Sequence, residues 1–266
     1  MSSKSLAKYL VAFAILIQGC THLKNTEKVQ DIRNSASLRN AESNPVQALQ
    51  QMSFVAVQKS DKIKKDFEIG KYEVTQLEWF LVMGENPSEF KTAAHCTGDY
   101  KVIGQVEMCE RHPVDSVSFD DIQLFLNKIN SVSNGYVYDL PTYDQWDYAA
   151  RAGRTTKYTY GNDKSDFQEY AVSNVKEQAG VSSEVFNQTA QIGTKKPNAF
   201  GIYDMHGNVW EWTTFKFGGF QRFLRGGSWI GKSFKKDHWF NFDLPFRKEI
   251  RDRQFGFRLA RSYVQL

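Results

Sequence analysis

The sequence predicts an α+β fold rich in irregular backbone. Three capped helix starts lie between residues 75 and 151, and beyond Gly153 the texture changes. There Gly, Asn and aromatic residues alternate with short apolar pieces such as Ala199–Tyr203 and Phe223–Leu224. That alternation fits short strands and long loops better than helices. The third observation is aromatic content: 20 Phe, 12 Tyr and 6 Trp in 266 residues can build a sizeable core. With 41% hydrophobic and 24% charged residues, the chain is neither wholly disordered nor a multi-pass membrane protein.

The first element is an address. Lys4 and Lys8 precede an apolar run from Tyr9 to Ile17, far short of the roughly 20 residues that cross a bilayer. A basic start, a short apolar middle and small residues after it describe an export signal. It ends Leu16-Ile17-Gln18-Gly19-Cys20, and Ile17 stands where ordinary cleavage after Gly19 wants a small side chain. The segment resembles a bacterial lipobox, with residues 1–19 as the signal and Cys20 as the lipidated first residue of the mature chain. An ordinary signal peptide with an incidental cysteine is the alternative. Several acyl chains on one residue anchor durably where one is marginal. By resemblance to lipoprotein sorting rules, Thr21 implies an outer-membrane lipoprotein, periplasmic or surface-facing. Residues 20–51 are polar and form a tether, with helix expected only near Val46–Met52. Flexible chain of that length spans roughly 30 Å root-mean-square. The globular domain is predicted over residues 52–266.

Within that domain, Thr75 followed by Glu78 forms a capping box, with Gly84 as the stop. Leu77, Phe80 and Leu81 share one face there. Ser118 precedes Asp121, and Ile122, Phe125, Leu126 and Ile129 recur at helical spacing. Thr142 with Gln145 makes a third box, and its helix should reach Arg151.

Cysteine and charge narrow the setting. The cysteines are Cys20, Cys96 and Cys109; assigning the first to lipid leaves an even pair. In an oxidising compartment Cys96 and Cys109 should form a disulfide, closing a loop of about 14 residues worth on the order of 3 kcal/mol. Two free thiols or half a metal site are the alternatives. Net charge is +4, which does not indicate a nucleic-acid binder. From Thr213 onward, however, 12 Lys/Arg face four Asp/Glu. Such a segment marks a place for an acidic partner.

Eight segments occur in a telling order: Gly70-Lys-Tyr-Glu-Val-Thr75, Met83-Gly-Glu-Asn-Pro87, His112-Pro-Val114, Leu140-Pro-Thr142 running into Trp146 and Tyr148-Ala-Ala-Arg151, Pro197-Asn-Ala-Phe-Gly201, Gly207-Asn-Val-Trp-Glu-Trp212, Arg225-Gly-Gly-Ser-Trp229 and Phe255-Gly-Phe-Arg258. Together they resemble the formylglycine-generating enzyme (sulfatase-modifying factor) family. The resemblance implies a C-type-lectin-like fold. The family's catalysts oxidise a sulfatase cysteine to formylglycine with copper(I) held by two cysteines, shortly after a segment like Arg225–Trp229. The matching positions here are Gly231 and Lys236, and no cysteine follows Cys109. Soft thiolates select copper(I), so no copper is expected.

The resemblance also implies a structural calcium ion, held by the Asp204 and Glu211 side chains and by the Gly207 and Val209 carbonyls. Hard oxygen donors from a turn suit calcium. A second family site would use Asn174 and the Val175 carbonyl. Zinc on Asp204, His206 and Glu211 is a weaker alternative, and solvated turn carboxylates are the plain one. Trp146, Trp210 and Trp212 are expected in the core, and His112 as a packed loop residue.

In the family, the groove beside the two-cysteine segment receives an extended peptide. Here residues 230–242 are basic and aromatic, and Lys232, Lys235, Lys236 and Trp239 are the candidate ligand contacts. The expected function is a non-catalytic module, lipid-anchored to a membrane, that grips a protein, peptide or anionic glycan in the envelope. The alternatives are a formylglycine-generating-type oxidase or other enzyme on the same scaffold, and a lectin-like receptor diversified by a retroelement.

Overall fold

Asn44 opens the folded unit: its side chain accepts from the Gln47 amide and caps helix α1 (Pro45–Gln51). The computed structural model describes residues 44–266 except 61, 62, 64, 133–134, 157–158, 175–186, 218–220, 231–243 and 265–266. The export signal, Cys20 and most of the tether therefore lie outside the described residues, as do Lys232, Lys235, Lys236 and Trp239. The compact unit begins at Asn44 rather than at Met52. The reason is Ala48, which α1 buries completely in the main core.

Strand β1 (Phe54–Val57) pairs antiparallel with β2 (Phe67–Gly70). The Thr75 box then starts α2 (Gln76–Met83), with Thr75 and Glu78 satisfying each other's backbone amides and Gly84 closing it at φ 81°. This helix has no solvent face of the expected kind: Trp79, Phe80, Leu81 and Val82 are all buried, and so are Gln76 and Glu78. Leu77, expected inside, is only partly buried. A hairpin follows, β3 (Tyr100–Ile103) with β4 (Val106–Cys109). The Ser118–Asp121 box starts α3 (Phe119–Ser131), whose Ile122, Phe125, Leu126 and Ile129 face inward as their spacing predicts. Next come β5 (Tyr136–Asp139) and α4 (Tyr143–Arg151), the latter capped by Thr142 and Gln145.

Beyond Gly153 only a short 3-10 turn (Lys164–Asp166) and α5 (Phe167–Tyr170) are helical among the described residues. Ala199–Tyr203 is not a strand. The Asn198 carboxamide oxygen accepts from the Phe200 and Ile202 amides and folds the segment into a turn. Strands β6 (Trp210–Phe217), β7 (Gln221–Arg225), β8 (Leu244–Arg247) and β9 (Phe255–Gly256) form one sheet in the order β8-β7-β6-β9. The other four-stranded sheet has the order β1-β2-β10-β5, with β10 (Ala260–Tyr263) between strands that precede it by more than 120 residues.

Aromatic side chains join these layers. Trp79 stacks on Phe125 with ring centroids 5.3 Å apart, and Phe257 meets both edge-on. Trp212 packs against Phe119 and Phe255, and its Nε1 donates to the Val117 carbonyl. Trp146 anchors a second cluster with Ile69, Ile202 and Met205. The fold is the mixed, helix-poor architecture that the sequence predicts.

Candidate functional site

Two motif segments converge at the start of β6. Gly207 adopts φ 77°, and a Cβ there would stand 1.9 Å from the Val172 carbonyl oxygen, so only glycine fits. Next to it, Asn208 (φ 57°) is fully buried. Its carboxamide accepts from the Ala190 amide and donates to Glu73 Oε2 at 2.7 Å. Val209 N–H donates to Glu73 Oε1. This tight turn aims Glu211 inward. Glu211 accepts from Arg258 Nη2 through Oε1, and from Arg258 Nε and Trp146 Nε1 through Oε2, at 2.6–2.7 Å. Arg258 also donates to the Gly70 and Tyr203 carbonyls, tying the first and last motifs to one ion pair.

Asp204 stands beside this pair in the left-handed region, φ 56°. Its Oδ2 accepts from the Gly193 amide at 2.7 Å, while the buried Oδ1 has no hydrogen-bond partner. Burial pushes the Asp204 carboxyl up to about 6. Glu73 is raised well above its usual range, first by burial and then by Asp204 and Glu211. Burial opposes the charge on Arg258, and Glu211, Glu73 and Asp204 together more than offset that. Three carboxyls thus face one guanidinium in a dry interior.

That imbalance bears on calcium. A carboxylate offers about four lone-pair sites, and Glu211 uses three of them, leaving one on Oε1. Together with the orphan Asp204 Oδ1, the side-chain donors are hard oxygens of the kind calcium takes. Asn174 Oδ1 is likewise buried without a partner, while Val175 lies outside the described residues. The zinc alternative does not fit. His206 is already bonded through Nε2 to Thr159 Oγ1, and Asp204, His206 and Glu211 do not bring three ligand atoms within 4.8 Å of one another. Among the described residues, only Cys96, Asp99 and Cys109 bring three ligand-type groups within 4.8 Å of one another.

The Arg225–Trp229 segment is an anchor. Arg225 is buried, paired with Asp147 at 2.7 Å, and stacked over Tyr143 and Trp146. Trp229 is buried against the edge of Phe90, 5.3 Å between centroids, with Arg253 over its ring. Phe90 in turn meets His95 edge-on. The segment that continues from Ile230, with Gly231 and Lys236, lies outside the described residues. Cys96 and Cys109 are joined to each other in a disulfide, as expected.

The basic C-terminal part is described only outside its lysine-rich segment, since Lys232, Lys235 and Lys236 lie among the residues left undescribed. Its described cations are largely matched within the fold: Lys248 with Asp120, Arg251 with Asp121, Arg261 with Glu68, Arg247 with Glu249, Arg225 with Asp147 and Arg258 with Glu211. Such pairs add little stability at the surface. Glu73 and His112 stand inside motif segments, but their roles beside Asn208 and Asp99, and the part of Asp147, were missed in the sequence. Trp146, Trp210, Trp212 and His112 are buried as expected.

A profile described as the Sulfatase-modifying factor enzyme 1-like domain matches residues 21–263. A protein named "Chaperone protein LppX" from Paenibacillus barcinonensis is 32% identical over 197 residues, covering 62% of this chain and 70% of its own length. An "Inactive C-alpha-formylglycine-generating enzyme 2" of Mus musculus is 33% identical over 96 residues, 34% of this chain and 31% of its own. Among solved structures, Treponema denticola variable protein 1 aligns with a TM-score of 0.58 at 24% identity, over 79% of this chain and 91% of its own. PvdO from Pseudomonas aeruginosa aligns at 0.55 and 21%, over 79% and 90%. At those identities the structural likeness is one of fold.

Proposed function

The chain belongs to the sulfatase-modifying factor enzyme 1-like family, and from that premise we propose that it is a non-catalytic member that binds a protein or peptide. The carrying observation is the distribution of sulfur. The family's copper positions fall on Gly231 and Lys236, and no cysteine follows Cys109. Cys96 and Cys109 are already bonded to each other. Glycine offers no side-chain ligand, and a protonated lysine repels a cation. Two relatives support the reading by name, one called a chaperone and one called inactive.

In this proposal the chain is a lipoprotein, anchored through Cys20 in the outer membrane and facing the periplasm or the surface. The tether holds the domain off the membrane. Lys232, Lys235, Lys236 and Trp239, just beyond the buried Trp229 anchor, contact the partner. Calcium is structural, held by Asp204, Glu211 and the Gly207 and Val209 carbonyls; the orphan Asp204 oxygen supports that assignment. The ion would neutralise excess carboxylate charge and fix the turn that aims Glu211 inward.

Incubation of the purified protein with copper, oxygen and a sulfatase-type cysteine peptide tests the catalytic side. Mass spectrometry should show the peptide unchanged, and conversion of thiol to aldehyde would refute the proposal. Capture from envelope extracts tests the binding side. A Lys232→Glu/Lys235→Glu/Lys236→Glu variant should lose the partner that the wild type retains; equal recovery would remove the patch from the site.

A further inference from the structure

The disulfide has neighbours that a purely structural bridge does not need. Gln76, buried in α2, accepts from the Cys109 amide and from Asn86, and donates to the Phe90 carbonyl, so one side chain fixes the Cys109 end of the bridge. Cys109 is completely buried, and Asp99 nearly so. The two sulfurs and an Asp99 carboxylate oxygen all lie within 4.8 Å of one another. Asp99 Oδ2 accepts from the Arg111 amide at 2.9 Å. Its Oδ1 is buried with no hydrogen-bond partner.

Facing that oxygen is a second orphan. His112 is completely buried, with Nδ1 3.1 Å from the Thr189 hydroxyl and Nε2 without a hydrogen-bond partner. Nε2 and Asp99 Oδ1 stand 3.8 Å apart, too far for a hydrogen bond. Burial lowers the imidazole's affinity for a proton, and Asp99 only partly opposes that. Leaving two such atoms unpaired in a dry interior is costly. Two oxygen or nitrogen donors on one tetrahedral zinc ion, at about 2.0–2.1 Å each, stand about 3.4 Å apart. The spacing is close to that of donors sharing a cation.

We propose that, once the bridge is reduced, Cys96, Cys109 and Asp99 form a site for a thiophilic divalent cation such as zinc, with His112 Nε2, 3.8 Å from Asp99 Oδ1, beside it. The chemistry balances with a dithiol as reductant. It gives two electrons and two protons to the sulfur–sulfur bond and closes to its own disulfide, leaving two protein thiols. Cation binding then releases both thiol protons. Oxidised, the pair is a covalent staple; reduced, it is a metal clip in the same place.

Cobalt(II) is the probe, because thiolate ligation gives an intense charge-transfer band that oxygen sites lack. The full chain is reduced with a dithiol, freed of reductant without air and titrated with cobalt, with far-UV circular dichroism following the fold. The expected result is one equivalent bound with a thiolate band, none in the oxidised protein, and at least a tenfold weaker affinity in Asp99→Asn. The band should persist in Cys20→Ser and vanish in Cys109→Ser. Absence of the band in the folded, reduced chain, equal affinity in Asp99→Asn, or unfolding on reduction would each overturn the proposal. None of these outcomes bears on partner binding through the lysine segment.

Discussion

Arg258 grips Glu211 with two parallel hydrogen bonds of 2.7 Å, both side chains fully shielded from solvent. The pair joins the last motif of the chain to the turn at Gly207, and through the Gly70 and Tyr203 carbonyls it reaches the ends of β2 and of the Asn198 turn. A buried pair of this kind is asymmetric in its energetics: removal of one partner leaves an uncompensated charge.

Arg258→Met should therefore destabilise the domain by about 3–5 kcal/mol. Urea denaturation of the variant against wild type measures it. A loss under about 1 kcal/mol would mean that the pair is not the clamp its geometry describes.

Removal of calcium should lower the unfolding temperature if the ion occupies the turn. At free calcium about 100-fold above its dissociation constant, the stabilisation is about 2.7 kcal/mol. Thermal melts with chelator, with calcium restored, and in Asp204→Ala check this. The variant should melt identically in both conditions; a calcium response that survives in it would place the ion elsewhere.

Stability should fall as pH rises from 5 to 7.5. Burial raises Asp115 and Glu78 to about 7. Ordinary carboxyls titrate near 4, so between these values the folded chain holds protons that the unfolded chain has released. The contribution is complete below about pH 4 and lost as pH passes each raised value, with a slope on the order of 1 kcal/mol per pH unit for each group. Asp115→Asn, which replaces a carboxyl whose Oδ2 has no partner, should flatten the profile measured by urea denaturation. An unchanged slope would exclude Asp115 as a contributor.

Gly207→Ala should cost at least about 2 kcal/mol, because the added carbon both meets the Val172 carbonyl oxygen and strains a positive φ. Gly84→Ala, where a Cβ meets nothing within 4 Å, carries only the strain and should cost less. Equal losses would show that the Val172 contact relaxes freely.

The capping boxes were legible because each is local: Thr75, Ser118 and Thr142 satisfy amides three residues away. The inward face of α3 followed from its spacing. By contrast, α2 is enclosed on nearly every side, and periodicity says little about a helix without a wet face. The site divides along the same line. Glu211 and Asp204 lie in a turn whose pattern is visible, whereas Glu73 reaches it from 135 positions away through Asn208. Asp99 and His112 face each other through loop geometry that spacing does not encode. Apart from the local Arg247–Glu249 pair, the matched charges of the C-terminal part were hidden for a similar reason, since their partners are contributed by β2, α3, α4 and β6.

The placement of β10 between β2 and β5 has a consequence for biogenesis. Its partners emerge from the ribosome more than 120 residues earlier, as the register of Tyr263 with Tyr136 shows. Until Ala260–Tyr263 arrives, both flanking strands present open edges that invite misassociation. A nascent chain would remain incomplete until its last strand is made, and truncation before Ala260 should leave those edges unpaired.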